Sequence, residues 1–146
     1  MYRAILIAVD GSAISDRALR EGLAVGLDQQ AELRVVHVID TMPAEPGEGT
    51  FDFDAFRAAQ LQEGREVLDH VAAVIQEAGA TVEPSLVEVQ GTAPADAILN
   101  EAKRWPADLI VIGTHGRGGL MHMLMGSVAE GIVRHTEVPV LLTRET

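Results

Sequence analysis

The sequence predicts a five-stranded, doubly wound α/β sheet, parallel throughout, with helices on both faces. Three observations carry that expectation. Strand-like and helix-like patterns alternate from end to end of the 146 residues, the signature of right-handed βαβ crossovers. The strand-like runs are rich in Val, Ile and Leu with little polar alternation, as strands covered on both faces must be. Apolar residues make up 47% of the chain, enough to fill the core of a single domain over residues 1–146, and no internal repeat is visible.

Each element has a local reason. Arg3–Val9 is an apolar run ended by Asp10, with no small-residue cleavage site, so it reads as a first strand and not as a signal peptide. Ser15–Leu27 places Leu19, Leu23 and Leu27 at four-residue spacing, a helix. Glu32–Ile39 is a second strand. Thr41–Phe51, with Pro43, Pro46, Gly47 and Gly49, is irregular and is either a mobile loop over the ligand edge of the sheet or a simple spacer. Asp52–Ala78 sets Val67, Val71, Val74, Ile75 and Ala78 on one helical stripe. Val82–Val89 is a third strand. Thr92-Ala93-Pro94 has the form of an N-cap with proline in the first turn, and the helix it opens carries Ile98, Leu99, Ala102 and Trp105 before Pro106. Asp108–Ile112 is a fourth strand. Ser127–His135 is a helix with Val128, Ile132 and Val133 on one face, and Ser127-Val128-Ala129-Glu130 fits a capping box with Ser127 as the cap. Val138–Thr143 is a last strand at a sheet edge.

Composition excludes several functions. No apolar run reaches the ~18 residues of a membrane span. With no cysteine there is no disulfide, thiolate metal site or cysteine nucleophile, which fits a cytoplasmic protein. The net charge of −11 opposes nucleic acid and anionic membranes, whose affinity comes from Lys and Arg at phosphates. That charge is uneven. Residues 1–112 carry 8 basic and 19 acidic side chains, whereas 113–146 carry 3 of each. The segment spared the negative charge is the one an anion site in an acidic protein requires, although loops and buried strands also carry few charges.

That neutral segment holds the most specific pattern in the chain: Gly113-Thr114-His115-Gly116, nine residues, then Gly126-Ser127. Glycines let the backbone approach an anion, and unpaired N–H groups at a helix start point at it. In open α/β sheets ligands bind beyond the carboxyl ends of strands where the strand order reverses. The expected order is 3-2-1-4-5, Rossmann-like, which makes the first and fourth strands neighbours and brings Asp10 to Gly113. Asp10 is then placed to accept from ribose hydroxyls or an adenine amine, or to serve as a turn acid. Val38 offers an apolar wall and backbone contacts for a base.

The glycine pattern from Gly113 to Ser127 resembles the nucleotide motif of the ATP-binding universal stress proteins. So do Ala8-Val9-Asp10-Gly11-Ser12 after the first strand, His37-Val38-Ile39-Asp40 closing the second, and Val138-Pro139-Val140-Leu141-Leu142 near the end. The resemblance covers essentially the whole chain. It implies Ala8, Val9, Asp10 and Val38 around adenine and ribose, with Gly113 beside the ribose and Thr114 in the same turn. It implies Gly116, Gly126, Ser127 and Val128 on the phosphates, through backbone N–H groups and the Ser127 hydroxyl. Magnesium or manganese would bridge phosphate oxygens with little help from the protein. It also implies a homodimer through Val138–Thr143, in agreement with the exposed apolar edge that this strand would present.

Neighbouring residues add to that picture. His115 within the turn either touches a phosphate or lies on the loop surface. Arg117 is placed for a charge-assisted phosphate contact or is a solvated loop arginine. Met121, Met123 and Met125 around His122 serve packing or subunit contact. His37 and His70 fall on strand and helix surface. No third group joins His115 and His122, so no protein metal site is read.

Other nucleotide and phosphate chemistries fail on position. There is no Gly-four residues-Gly-Lys-Ser/Thr, and the glycines do not form Gly-x-Gly-x-x-Gly after the first strand. A receiver domain needs an acceptor Asp after the third strand and a Lys after the fifth, where this chain has Gln90-Gly91 and Thr143-Arg144. Ser127 has no histidine placed as its base, and no lysine in the motif braces a γ-phosphate. The sequence therefore reads as an ATP-binding sensor or regulator, with ADP or AMP as further ligands and a regulatory protein as a possible partner. A slow ATPase or nucleotide-dependent transferase, and an AMP-binding or nucleotide-free interaction subunit such as a transporter's, stand as alternatives.

Overall fold

A computed structural model describes residues 1–43, 49, 51–116 and 125–145. Five parallel strands form one sheet: β1 (Ala4–Ala8), β2 (Glu32–Asp40), β3 (Pro84–Val89), β4 (Leu109–Gly113) and β5 (Val140–Thr143), in the order β3-β2-β1-β4-β5. Four helices connect them: α1 (Ala13–Gln29), α2 (Phe53–Glu77), α3 (Pro94–Arg104) and α4 (Ser127–His135). The predicted architecture and strand order are those observed.

Strand alternation builds two cores. Ile5, Ile7, Val35 and Val111 face α1 and α2 and pack with Leu19, Leu23, Val67 and Val71. Leu6, Ala8, Val36, Ile110 and Ile112 face the other way and pack with Ile98, Ala102 and Ile132. Ile5, Leu6, Ile7, Val35, Ile110 and Val111 are fully buried, each worth about 1.5–3 kcal/mol against exposure. The Asp108 carboxylate ties β4 to the start of β1, accepting from the N–H groups of Arg3 (2.9 Å) and Ala4 (3.0 Å).

Boundaries shift where local chemistry decides. β3 starts at Pro84 and not Val82, because proline has no N–H for the ladder and is confined to edge or opening positions. Leu27 and Val133, expected on buried stripes, are exposed. The last turn of α1 meets β2 through Gly26, which lies against Leu33, and the apolar face of α4 runs through Val128, Ala129 and Ile132 instead. Thr92 does not cap α3: the N-cap is Ala93, without a side-chain bond, and Pro94 alone sets the start. Residues 44–48 and 50 of the loop after β2 lie outside the described residues, and with them the expectation that it covers the ligand edge.

The order reverses between β1 and β4. From β1 the chain winds outward to β2 and β3, then returns to the other side of β1 as β4. The carboxyl ends of β1, β2 and β4 therefore open onto one crevice.

Candidate functional site

At the end of β1 the chain turns through Gly11 at φ +81°, a left-handed conformation that a side chain would strain. Three short bonds fix this turn. Ser12 N–H donates to Asp10 Oδ1 (2.9 Å), Asp10 N–H donates to Ser15 Oγ (2.9 Å), and Ser15 N–H donates to Ser12 Oγ (3.2 Å), capping α1. Asp10 thus acts as a turn acid through Oδ1. The other oxygen, Oδ2, faces the exit of β4, where a Cβ on Gly116 would stand 2.5 Å from it. A side chain at 116 would therefore displace Asp10 Oδ2.

The two halves of the glycine motif are tied together. Gly126 N–H donates to the Thr114 carbonyl at 2.6 Å, and Thr114 N–H donates to the Thr143 carbonyl of β5 at 2.9 Å. Thr114 and His115 are buried, with Thr114 Oγ1 3.1 Å from His115 Nδ1. His115 is therefore not on the loop surface. Arg117, Met121, His122 and Met123 lie outside the described residues; Met125 is half-buried.

The start of α4 differs from its predicted form. The N-cap is Gly126, and Ser127 is the first helical residue, so the capping box with Ser127 as the cap is not made. Glu130 N–H to Gly126 O (3.0 Å) is the first helical bond. The N–H groups of Ser127, Val128 and Ala129 have no partner within the helix and sit at the positive end of its dipole. Gly126 N–H, expected on a phosphate, is spent on Thr114.

β1 and β2 part at the same crevice. Pairing ends at Ala8 with Val36, followed by Val9 N–H to Val36 O at 2.9 Å. Even-numbered residues of β2 thus turn their peptide groups toward β1 and odd-numbered ones toward β3, where Thr41 N–H meets Val89 O at 2.9 Å. The peptide groups of Val38 face the gap left where β1 stops. The Val9 carbonyl is instead met by the His37 ring, whose Nδ1 is 2.9 Å away.

These segments wall a cavity of about 360 Å³. β1 and its exit contribute Ala8, Val9 and Asp10; β2 contributes Val36, His37 and Val38; β4 and its bend contribute Ile112 to Gly116; the N-cap and first turn of α4 contribute Gly126 to Ala129. Every described site residue expected from the sequence lies on this wall; Arg117 is outside the described residues. His37, Ser15, Pro94 and Ile98 also line it. Sequence reasoning missed them: His37 was read as strand surface, although it precedes Val38, and α3 opens at the same edge of the sheet. Among the described residues no group of three His, Asp or Glu side chains can hold a metal.

The sequence matches the model of the universal stress protein family over residues 1–144. A universal stress protein of Methanocaldococcus jannaschii is 32% identical over 99% of this chain and 84% of its own. A crystal structure of a universal stress family protein from Burkholderia pseudomallei is 35% identical, with a TM-score of 0.72 over 97% of this chain and 95% of that one. The structure of the universal stress protein from Archaeoglobus fulgidus in complex with dAMP is 26% identical, with a TM-score of 0.71 over 97% and 98%. With the fold, the glycine bend and the full-length match in agreement, the chain belongs to the universal stress protein family.

Proposed function

We propose that the crevice binds ATP, and that the chain acts as a single nucleotide-dependent sensor or regulator domain in stress response. The observation that carries this is the convergence of two devices on one cavity: the N–H groups at the start of α4 that have no partner within the helix, and the open peptide edge of Val38. The first is suited to a phosphate, the second to the hydrogen-bonding edge of a base. The Archaeoglobus relative solved with dAMP supports an adenylate as the occupant.

The residues present fit such a ligand. The cavity is in the ordinary range for a small-molecule site. Gly116 leaves room beside Asp10 Oδ2, and Ser127 brings its hydroxyl to the start of α4, the phosphate end. Asp10, through Oδ2, would receive ribose hydroxyls; Gly116, Ser127 and Val128 would hold phosphate by their N–H groups. A magnesium or manganese ion would neutralise phosphate oxygens, and the chain would leave its coordination largely to the ligand and water. We place the chain in the cytoplasm as a homodimer through the β5 edge, able to present its nucleotide state to a regulatory partner.

Titration calorimetry with ATP, ADP and AMP, with and without magnesium, tests this. Saturable one-site binding of at least one adenylate, strongest for MgATP, is the expected result. No heat and no saturation for any of the three would overturn it.

A further inference from the structure

His37 does not share the face of the residues that would meet a base. Strand alternation puts it with Val35, toward α1 and α2, while Val38 sits with Val36 toward α3 and α4. Yet the ring reaches round the end of β1, and its Nδ1 lies 2.9 Å from the Val9 carbonyl. A carbonyl only accepts, so Nδ1 carries the proton and donates.

That bond replaces another. In a parallel ladder the bond from Val9 N–H to Val36 O is followed by one from Val38 N–H to Val9 O. Among the described residues the second bond is not made: pairing of β1 with β2 stops at Ala8 with Val36. The strand splits one peptide earlier than its own register permits, and the donor that satisfies Val9 is the His37 ring.

We propose that His37 is a positioning residue for base recognition. It holds the Val9 carbonyl away from Val38, and so keeps the Val38 N–H open to an acceptor on the ligand's base. This rests on the nucleotide function proposed above. His37 sets discrimination at the base end of the crevice and leaves the phosphate end untouched. Removing it lets the ladder close by one bond, which hides the Val38 amide.

His37→Ala and His37→Asn test the assignment, because the Asn side-chain N–H stands close to the place of Nδ1–H. In the nucleotide-free protein, amide hydrogen exchange reads Val38 directly. The expected result is fast exchange in the unaltered chain and in His37→Asn, and protection at least about tenfold greater in His37→Ala. Affinities for ATP, ADP and AMP should fall by a common factor of about five to ten in His37→Ala, the worth of one hydrogen bond, and recover in His37→Asn. Binding of inorganic tripolyphosphate should be the same in all three proteins.

Equal Val38 exchange in the unaltered chain and His37→Ala overturns the positioning role, whatever the chain binds. So does a loss of tripolyphosphate binding as large as the loss of AMP binding. Failure of the unaltered chain to bind any adenylate, with the exchange pattern as expected, overturns the nucleotide function and leaves the splitting of β1 from β2 by His37 in place.

Discussion

Gly116 and Gly22 show how differently a single missing side chain can matter. At Gly116 a Cβ would stand 2.5 Å from Asp10 Oδ2, the outer end of a side chain, and the position is exposed. Gly116→Ala should therefore rotate Asp10 Oδ2 out of place without unfolding the chain. Adenylate affinity should drop about tenfold, by calorimetry, with the urea midpoint unchanged. At Gly22 a Cβ would stand 2.7 Å from Cδ1 of Ile7, a side chain with no exposed surface and no room to yield. Gly22→Val should cost about 2 kcal/mol of stability by urea denaturation, as overpacking of a filled core does. The glycine motif was legible in the sequence because its spacing alone places amides at a helix start. What each residue does there was less legible. Ser127 looked like a cap because Ser, two residues, Glu is the capping-box pattern; the structure starts the helix one residue earlier, since Gly126 takes the cap position with its N–H on Thr114. His37 was hidden because its role depends on where a different strand ends.

At the scale of elements, one charged cluster joins three segments near the β3 edge. Glu88 of β3 accepts from Arg57 Nε and Nη2, both at 2.8 Å, and from the Thr41 hydroxyl at 2.8 Å, linking α2 and the end of β2. The Arg57 hydrogen bonds, then that of Thr41, outweigh partial burial and hold the Glu88 carboxyl at about 2 against its ordinary 4.5. A lowered carboxylate pKa adds stability above the unfolded value and loses it as pH falls toward the folded value. The thermal midpoint should therefore fall between pH 4.5 and about 2, and Arg57→Leu should flatten that part of the profile. At the opposite edge, among the described residues, β5 pairs only with β4, through Val140 with Ile110 and Leu141 with Val111. If its outer edge joins two copies, Leu141→Lys should give a monomer by light scattering; an unchanged mass would remove β5 from the interface. The elements themselves were legible from apolar runs and helical spacing. Their ends were less so: Pro84 marks the start of β3 by its own missing N–H, whereas the β1–β2 split is settled by residues distant in sequence.

Across the whole molecule, the crevice draws its walls from β1, β2, β4, α3 and α4, so a ligand held there would touch both cores. A ligand that bridges elements stabilises the folded chain by mass action, about 2.7 kcal/mol at a hundredfold excess over Kd. For a chain of this length that corresponds to a rise of roughly 5–10 °C in Tm. MgATP should produce such a shift, read by differential scanning fluorimetry. The acidic background sharpens the expectation. Residues 1–112 carry an excess of 11 negative charges, and the polyphosphate must be brought against that field. Neutralising the ligand with magnesium should therefore count for more here than the bare phosphate contacts suggest, and raising ionic strength should screen the same repulsion. The Tm shift from ATP without magnesium should be smaller than with it, and should grow as salt is raised from about 10 to 150 mM, where the Debye length shortens from about 30 to 8 Å. A shift from metal-free ATP that shrinks with salt would mean that attraction from nearby cations governs the site, and the account of an amide-lined crevice in a negatively charged protein would fail.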